Sequence, residues 1–149
     1  MNKALTALLA LLLTIGGLTS ANAAGKPEDV IKYRDSIMDA LSNHVSAVLA
    51  IATNKIDGQE YLQGHADAIA DLSSQLDILF PEGTGGGDSE ALPNIWTETE
   101  KFAAAIKTMQ DAASGLQDAA SSGQPVMPAF AGVGKACKGC HESFRAEDD

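Results

Sequence analysis

From residue 27 onward the apolar positions recur at helical spacing in four stretches, and no stretch alternates with the period of two that marks a half-buried strand. The first stripe, Val30, Ile37, Met38, Leu41, Val45, Val48 and Ala52, follows Pro27, whose locked φ and missing amide suit a first helical turn. Glu28 and Asp29 stand there at the positive end of the helix dipole. In the second stretch Asp57 and Glu60 are spaced like a capping box, and Leu62, Ile69, Leu76 and Leu79 follow at heptad spacing until Pro81 stops the helix. The span from Pro81 to Pro93, with Gly83 and Gly85-Gly86-Gly87, predicts the one long loop. A third helix begins at about Pro93, carries Ile95, Phe102, Ile106, Met109, Ala113 and Leu116 inward, and is broken by Ser121-Ser122-Gly123-Gln124-Pro125. The fourth holds Phe130, Val133, Cys137, Cys140 and Phe144 on one stripe. Helices of about 20 residues joined mostly by short connections predict an all-α, antiparallel up-down-up-down four-helix bundle.

The residues before this pattern have a different character. Met1-Asn2-Lys3 carries one positive charge, Ala4 to Leu18 is apolar apart from threonine and glycine, and Ala21-Asn22-Ala23 has the small-x-small form of a signal-peptidase site. The apolar run is shorter than the roughly 20 residues of a spanning helix. Residues 1–23 are therefore expected to be a signal peptide cut after Ala23, with 24–149 as a single domain exported to the periplasm and free of the membrane after cleavage. Without Lys3 the chain keeps nine Lys or Arg against twenty Asp or Glu, a formal charge of −11. Such an acidic balance argues against nucleic acid and anionic membrane surfaces, and favours basic patches on partner proteins.

Candidate chemistry is concentrated near the other end. Cys137-Lys138-Gly139-Cys140-His141 spells C-x-x-C-H and uses both cysteines of the chain. Two thiols three positions apart can add across the two vinyl groups of one haem, and the adjacent histidine is then placed to ligate the iron. A redox dithiol would want a βαβ setting, and a structural zinc would need a fourth ligand that the sequence does not offer. The expected cofactor is one covalently attached haem c per chain, held by Cys137 and Cys140 with His141 on the iron. In an up-down-up-down bundle, the start of the first helix and the end of the fourth share one end. At about 1.5 Å per residue, His141 lies roughly 12 Å from the terminus and Met38 roughly 15 Å from the start of its helix. Met38 is thus the expected second axial ligand, by the common pairing of a thioether with a proximal histidine. Arg34, one turn earlier on the same face, is expected to pair with a haem propionate. The same reckoning places Trp96 and the glycine-rich loop beside the haem, and puts Met127 at the opposite end and Met109 about 24 Å up the third helix. His44 and His65 fall at similar heights on the first two helices, and with no acidic or cysteine partner nearby they read as surface or interface residues.

These residues resemble the cytochrome c-prime family, the class II cytochromes c, over essentially the whole mature chain. The matching stretches are Lys32-Tyr33-Arg34, Phe80-Pro81-Glu82-Gly83, Pro93-Asn94-Ile95-Trp96 and Val133 through Arg145, with C-x-x-C-H close to the C-terminus as the most specific. The resemblance implies a bundle with haem on Cys137 and Cys140, His141 as proximal ligand, Arg145 near that histidine, and a homodimer packed through the first two helices. It also implies a division at the position of Met38. Where a methionine there binds iron the protein carries electrons, and where the side chain only shields the distal face the haem is five-coordinate and admits nitric oxide or carbon monoxide. The leading expectation is a periplasmic electron carrier with His141 and Met38 as axial ligands, serving redox partner proteins of unstated identity. The alternative is the gas-binding form. Nothing in the chain suggests enzymatic chemistry, because no phosphate loop and no nucleophile paired with a base is present.

Overall fold

A computed structural model describes residues 25–147, so the expected leader and its cut after Ala23 lie outside the described residues. Five helices follow one another: α1 (Pro27–Ala52), α2 (Leu62–Ser73), α3 (Asn94–Thr97), α4 (Thr99–Ser121) and α5 (Val126–Phe144). Among the described residues the only β pairing is one isolated bridge between Ala91 and Arg145. α1 packs on α2, α2 on α4, α4 on α5, and α5 returns to α1, which closes a four-helix bundle with α3 as a short lead-in to α4. No helix among the described residues is long and apolar enough to cross a membrane.

The predicted stripes are the ones that fill the core. Val48, Ile51, Ile69, Leu79, Ala113, Leu116 and Val133 are at most 2% exposed and come from every side of the bundle. Full burial of a leucine or isoleucine such as Leu116 or Ile69 contributes about 2 kcal/mol over leaving it in water. At the end that holds the site, Phe102 stands between Phe80 and Phe144, edge-on to both with ring centroids 4.9 and 5.1 Å away.

Three local features depart from the sequence pattern. The expected capping box at Asp57 and Glu60 does not form: Gly58 turns at φ 148°, a 3₁₀ turn over Gln59–Tyr61 follows, and no side chain caps α2. α2 ends at Ser73 rather than running to Leu79, and a separate 3₁₀ turn, Leu76–Ile78, keeps Leu76 and Leu79 in the core without a continuous helix. The third predicted helix is broken at Glu98, whose φ of −114° and ψ of 48° lie outside the helical region. α3 is held instead by tertiary bonds, with Asn94 Nδ2 donating to Ser143 O at 2.8 Å and Trp96 Nε1 to Phe80 O at 3.1 Å.

Candidate functional site

Cys137, Cys140 and His141 are all on the last two turns of α5, where residues three and four apart share a face. Both cysteines are free and partly buried. Burial pushes both thiols above their ordinary range, and Cys140 is raised further by Cys137 beside it. Both sulfurs are therefore neutral thiols, and that of Cys137 lies 3.8 Å from Met109 Sδ. His141 is an exposed residue at the cavity rim. Its imidazole is held below the usual histidine range by desolvation and then by Arg145, with Glu90 acting in the opposite sense. Arg145 in turn pairs with Glu90, Nε to Oε2 at 2.7 Å.

The chain that brings Glu90 there is zipped to the end of α5. Leu92 N donates to Phe144 O at 3.0 Å and Ala146 N to Glu90 O at 2.8 Å, on either side of the Ala91–Arg145 bridge. One cavity of about 620 Å³ opens between α1, α4, α5 and this loop, lined among others by Met38, Phe80, Glu90, Met109, Cys137, Cys140 and His141. Asp35, Asp39 and Asp88 are also on its wall and are exposed, so the cavity is apolar in depth and acidic toward water.

Arg34 is the buried cation of the site, 4% exposed. Its Nη2 donates to Ser89 Oγ at 2.6 Å and Thr84 O at 3.1 Å, its Nη1 to Leu79 O and Thr84 Oγ1 at 3.4 Å each, and the guanidinium lies 4.8 Å over the Phe80 ring. Desolvation lowers its pKa, and the charge of Asp35 offsets this in part. Arg34 lines the cavity, and its donors pin the loop to α1.

The structure redistributes other expectations. Trp96 is not on the cavity wall: its indole N–H is bound to Phe80 O and Pro81 O, and the ring is stacked against Gly85, so it locks the loop from behind Phe80. Met109 does reach the cavity, against the depth reckoned from Pro93, because the third helix restarts at Thr99 and so carries Met109 less far up the bundle. Met127 is exposed at the other end, near Ala52 and Gln124, as its position implied. Asp35, Asp39, Asp88 and Glu90 had no signal in the sequence beyond their charge, since only the fold gathers them at one mouth.

The donor set fits haem c. Two neutral thiols, three residues apart on one helical face, meet an apolar hollow whose volume falls within the range of about 300–1,000 Å³ usual for sites that bury a cofactor-sized ligand. An imidazole follows directly, and a buried arginine to which no carboxylate among the described residues is hydrogen-bonded faces the same space. A four-helix bundle with C-x-x-C-H in its last helix and this cavity beside it defines a bundle-type c cytochrome.

The chain belongs to the cytochrome c' family: the family model described as Cytochrome C' matches residues 29–145. Its cofactor is accordingly covalent haem c. Cytochrome c' of Pararhodospirillum photometricum is 36% identical over 122 residues, covering 80% of this chain and 98% of that protein. Among solved structures, the nitric oxide complex of a single-residue variant of cytochrome c prime from Alcaligenes xylosoxidans superposes with a TM-score of 0.76 at 28% identity, covering 83% of this chain and 98% of that one. A carbon-monoxide-bound variant of the same protein matches with the same TM-score, identity and coverage.

Proposed function

We propose that this protein binds a diatomic gas, nitric oxide or carbon monoxide, at the distal face of a five-coordinate haem c. In this reading Cys137 and Cys140 bear the thioethers, His141 is the proximal ligand with Arg145 beside it, and Arg34 pairs with a propionate. Haem c, when bound, supplies an iron whose sixth position can accept a small ligand. The chain's own part is to hold and screen that position. α5 presents three attachment groups from one rigid helix, and the aromatic row of Phe80, Phe102 and Phe144 keeps water from the buried edge. Met38, partly buried on α1, stands across the cavity from α5, where an unbranched thioether can yield to a small ligand and exclude a large one.

The observation that carries this reading is that Met38 shares one cavity with Cys137, Cys140 and His141, in a fold whose solved relatives hold nitric oxide and carbon monoxide. It displaces the electron carrier with His141 and Met38 as axial ligands, which becomes the second reading because the same position of Met38 also suits ligation. Ferric absorption spectra decide between them. A high-spin ferric form is expected, with ferrous protein taking up carbon monoxide and Met38→Ala raising the uptake rate several-fold. A low-spin ferric spectrum that Met38→Ala converts to high-spin overturns the proposal in favour of the electron carrier.

The proposal extends to the setting. Residues 1–23 act as an export signal, residues 24–149 form one periplasmic domain, and two copies associate as a homodimer. The acidic surface with a formal charge of −10 on the full chain accords with a protein that meets other proteins rather than nucleic acid.

A further inference from the structure

Glu90 sits where the loop after Phe80 is fastened on both sides. Ser89 Oγ accepts from Arg34 Nη2 at 2.6 Å and from Ala91 N at 3.1 Å, Glu90 O accepts from Ala146 N at 2.8 Å, and Ala91 forms the bridge with Arg145. The carboxylate is thereby brought to Arg145, Oε2 to Nε at 2.7 Å, on the cavity wall that His141 also lines. The proton affinity of that imidazole is lowered first by desolvation and then by Arg145, and Glu90 raises it, so both charges are felt there. We propose that Glu90 tunes the haem iron through the proximal histidine, its carboxylate offsetting the field of Arg145 at His141 and so favouring ferric over ferrous iron.

With His141 as the proximal ligand, the role on which this proposal rests and which both functional readings share, a charge that disfavours a proton on the imidazole also disfavours the added positive charge of ferric iron behind it. Arg145 therefore pulls the iron toward the ferrous state, and Glu90 pulls it toward the ferric. The pair lies at the surface, with the two side chains 37% and 58% exposed, and pairs of that kind contribute little to folding. Its position is set by main-chain bonds that do not use the carboxylate. What the pair supplies is a fixed balance of charge beside the ligand rather than stability. One electron from an external reductant converts ferric to ferrous iron, and the carbon monoxide of the proposed function is taken up by the ferrous form. Glu90 accordingly sets what share of the protein is competent for that gas under given reducing conditions.

The test is reductive titration of the haem-loaded protein with dithionite and redox mediators, the ferrous and ferric fractions being read by absorption. Glu90→Gln, which keeps the size and the polar end of the side chain, should raise the ferrous-to-ferric ratio at a fixed applied potential by roughly two- to tenfold, the effect of one unit charge near a partly exposed site. Arg145→Gln should lower the ratio. Glu90→Asp, which keeps the charge, should stay closer to the native ratio than Glu90→Gln does. The shift caused by Glu90→Gln should shrink at about 1 M salt, where the screening length falls to about 3 Å. A ratio unmoved by Glu90→Gln, a shift of both charge-removing variants in the same direction, or Glu90→Asp displaced as far as Glu90→Gln each overturns the proposal. The ferric spin state, which decides between gas binder and electron carrier, is read from the same spectra, and neither spin state alters the expected direction, so the two readings fail separately.

Discussion

Arg34 joins two tasks in one side chain. Four hydrogen bonds tie it to Leu79, Thr84 and Ser89, and its face covers Phe80, so removing it leaves buried carbonyl and hydroxyl groups without a donor and takes the cation from the cavity wall. Arg34→Leu is expected to lower stability by about 3 kcal/mol in urea unfolding of the haem-loaded protein. Arg34→Lys should recover only part of that loss, because an ammonium cannot serve the separate acceptors that a planar fork reaches. A sequence reading finds Arg34 by its spacing from Met38, yet the loop bonds are invisible to it, since their partners are 45 to 55 positions away. Cys137, Cys140 and His141 stand out in the sequence because the C-x-x-C-H pattern is confined to five consecutive residues, whereas only the fold brings them to one cavity.

At the scale of elements, the stripes on α1, α4 and α5 follow from spacing alone, while the ends of α2 and the break before α4 do not. Trp96 illustrates why. Its indole is bonded to Phe80 O and Pro81 O, and a β-carbon on Gly85 would collide with its ring, so the loop and α3 are shaped around each other. Gly85→Ala should therefore cost about 1–3 kcal/mol and loosen the cavity wall at Phe80, read as a lower unfolding midpoint and altered tryptophan fluorescence. Gly134→Ala in α5 makes the contrasting case. No atom stands within 4 Å of its added carbon and the site is exposed, so the helix gains about 0.5–1 kcal/mol, measurable as a higher midpoint with an unaltered haem spectrum.

Over the whole molecule, the cavity of about 620 Å³ beside α5 is the space that haem would fill in the proposed reading. Apolar walls of that size do not collapse onto one another without loss, so the cofactor belongs to the folded core in the energetic sense. Cys137→Ser with Cys140→Ser should yield protein without the mass of haem, unfolding at lower urea with a shallower slope and weakened near-ultraviolet circular dichroism, while helical content largely persists. Met109 shows how depth along one helix misleads at this scale: counted from Pro93 it is remote, but the restart at Thr99 brings it to Cys137.

The amino-acid order by itself determined the helical class, the bundle and the haem attachment, because apolar period, turn residues and a five-residue motif are all short-range signals. Tertiary structure alone decided that Arg34 serves the loop as well as the cavity, that Trp96 stands behind Phe80 rather than on the wall, and that His44 touches His65 across two helices. Each of these depends on the distance between residues far apart in sequence, which is set by how the helices pack and by where the loop is tied. Spacing along the chain carries no such information.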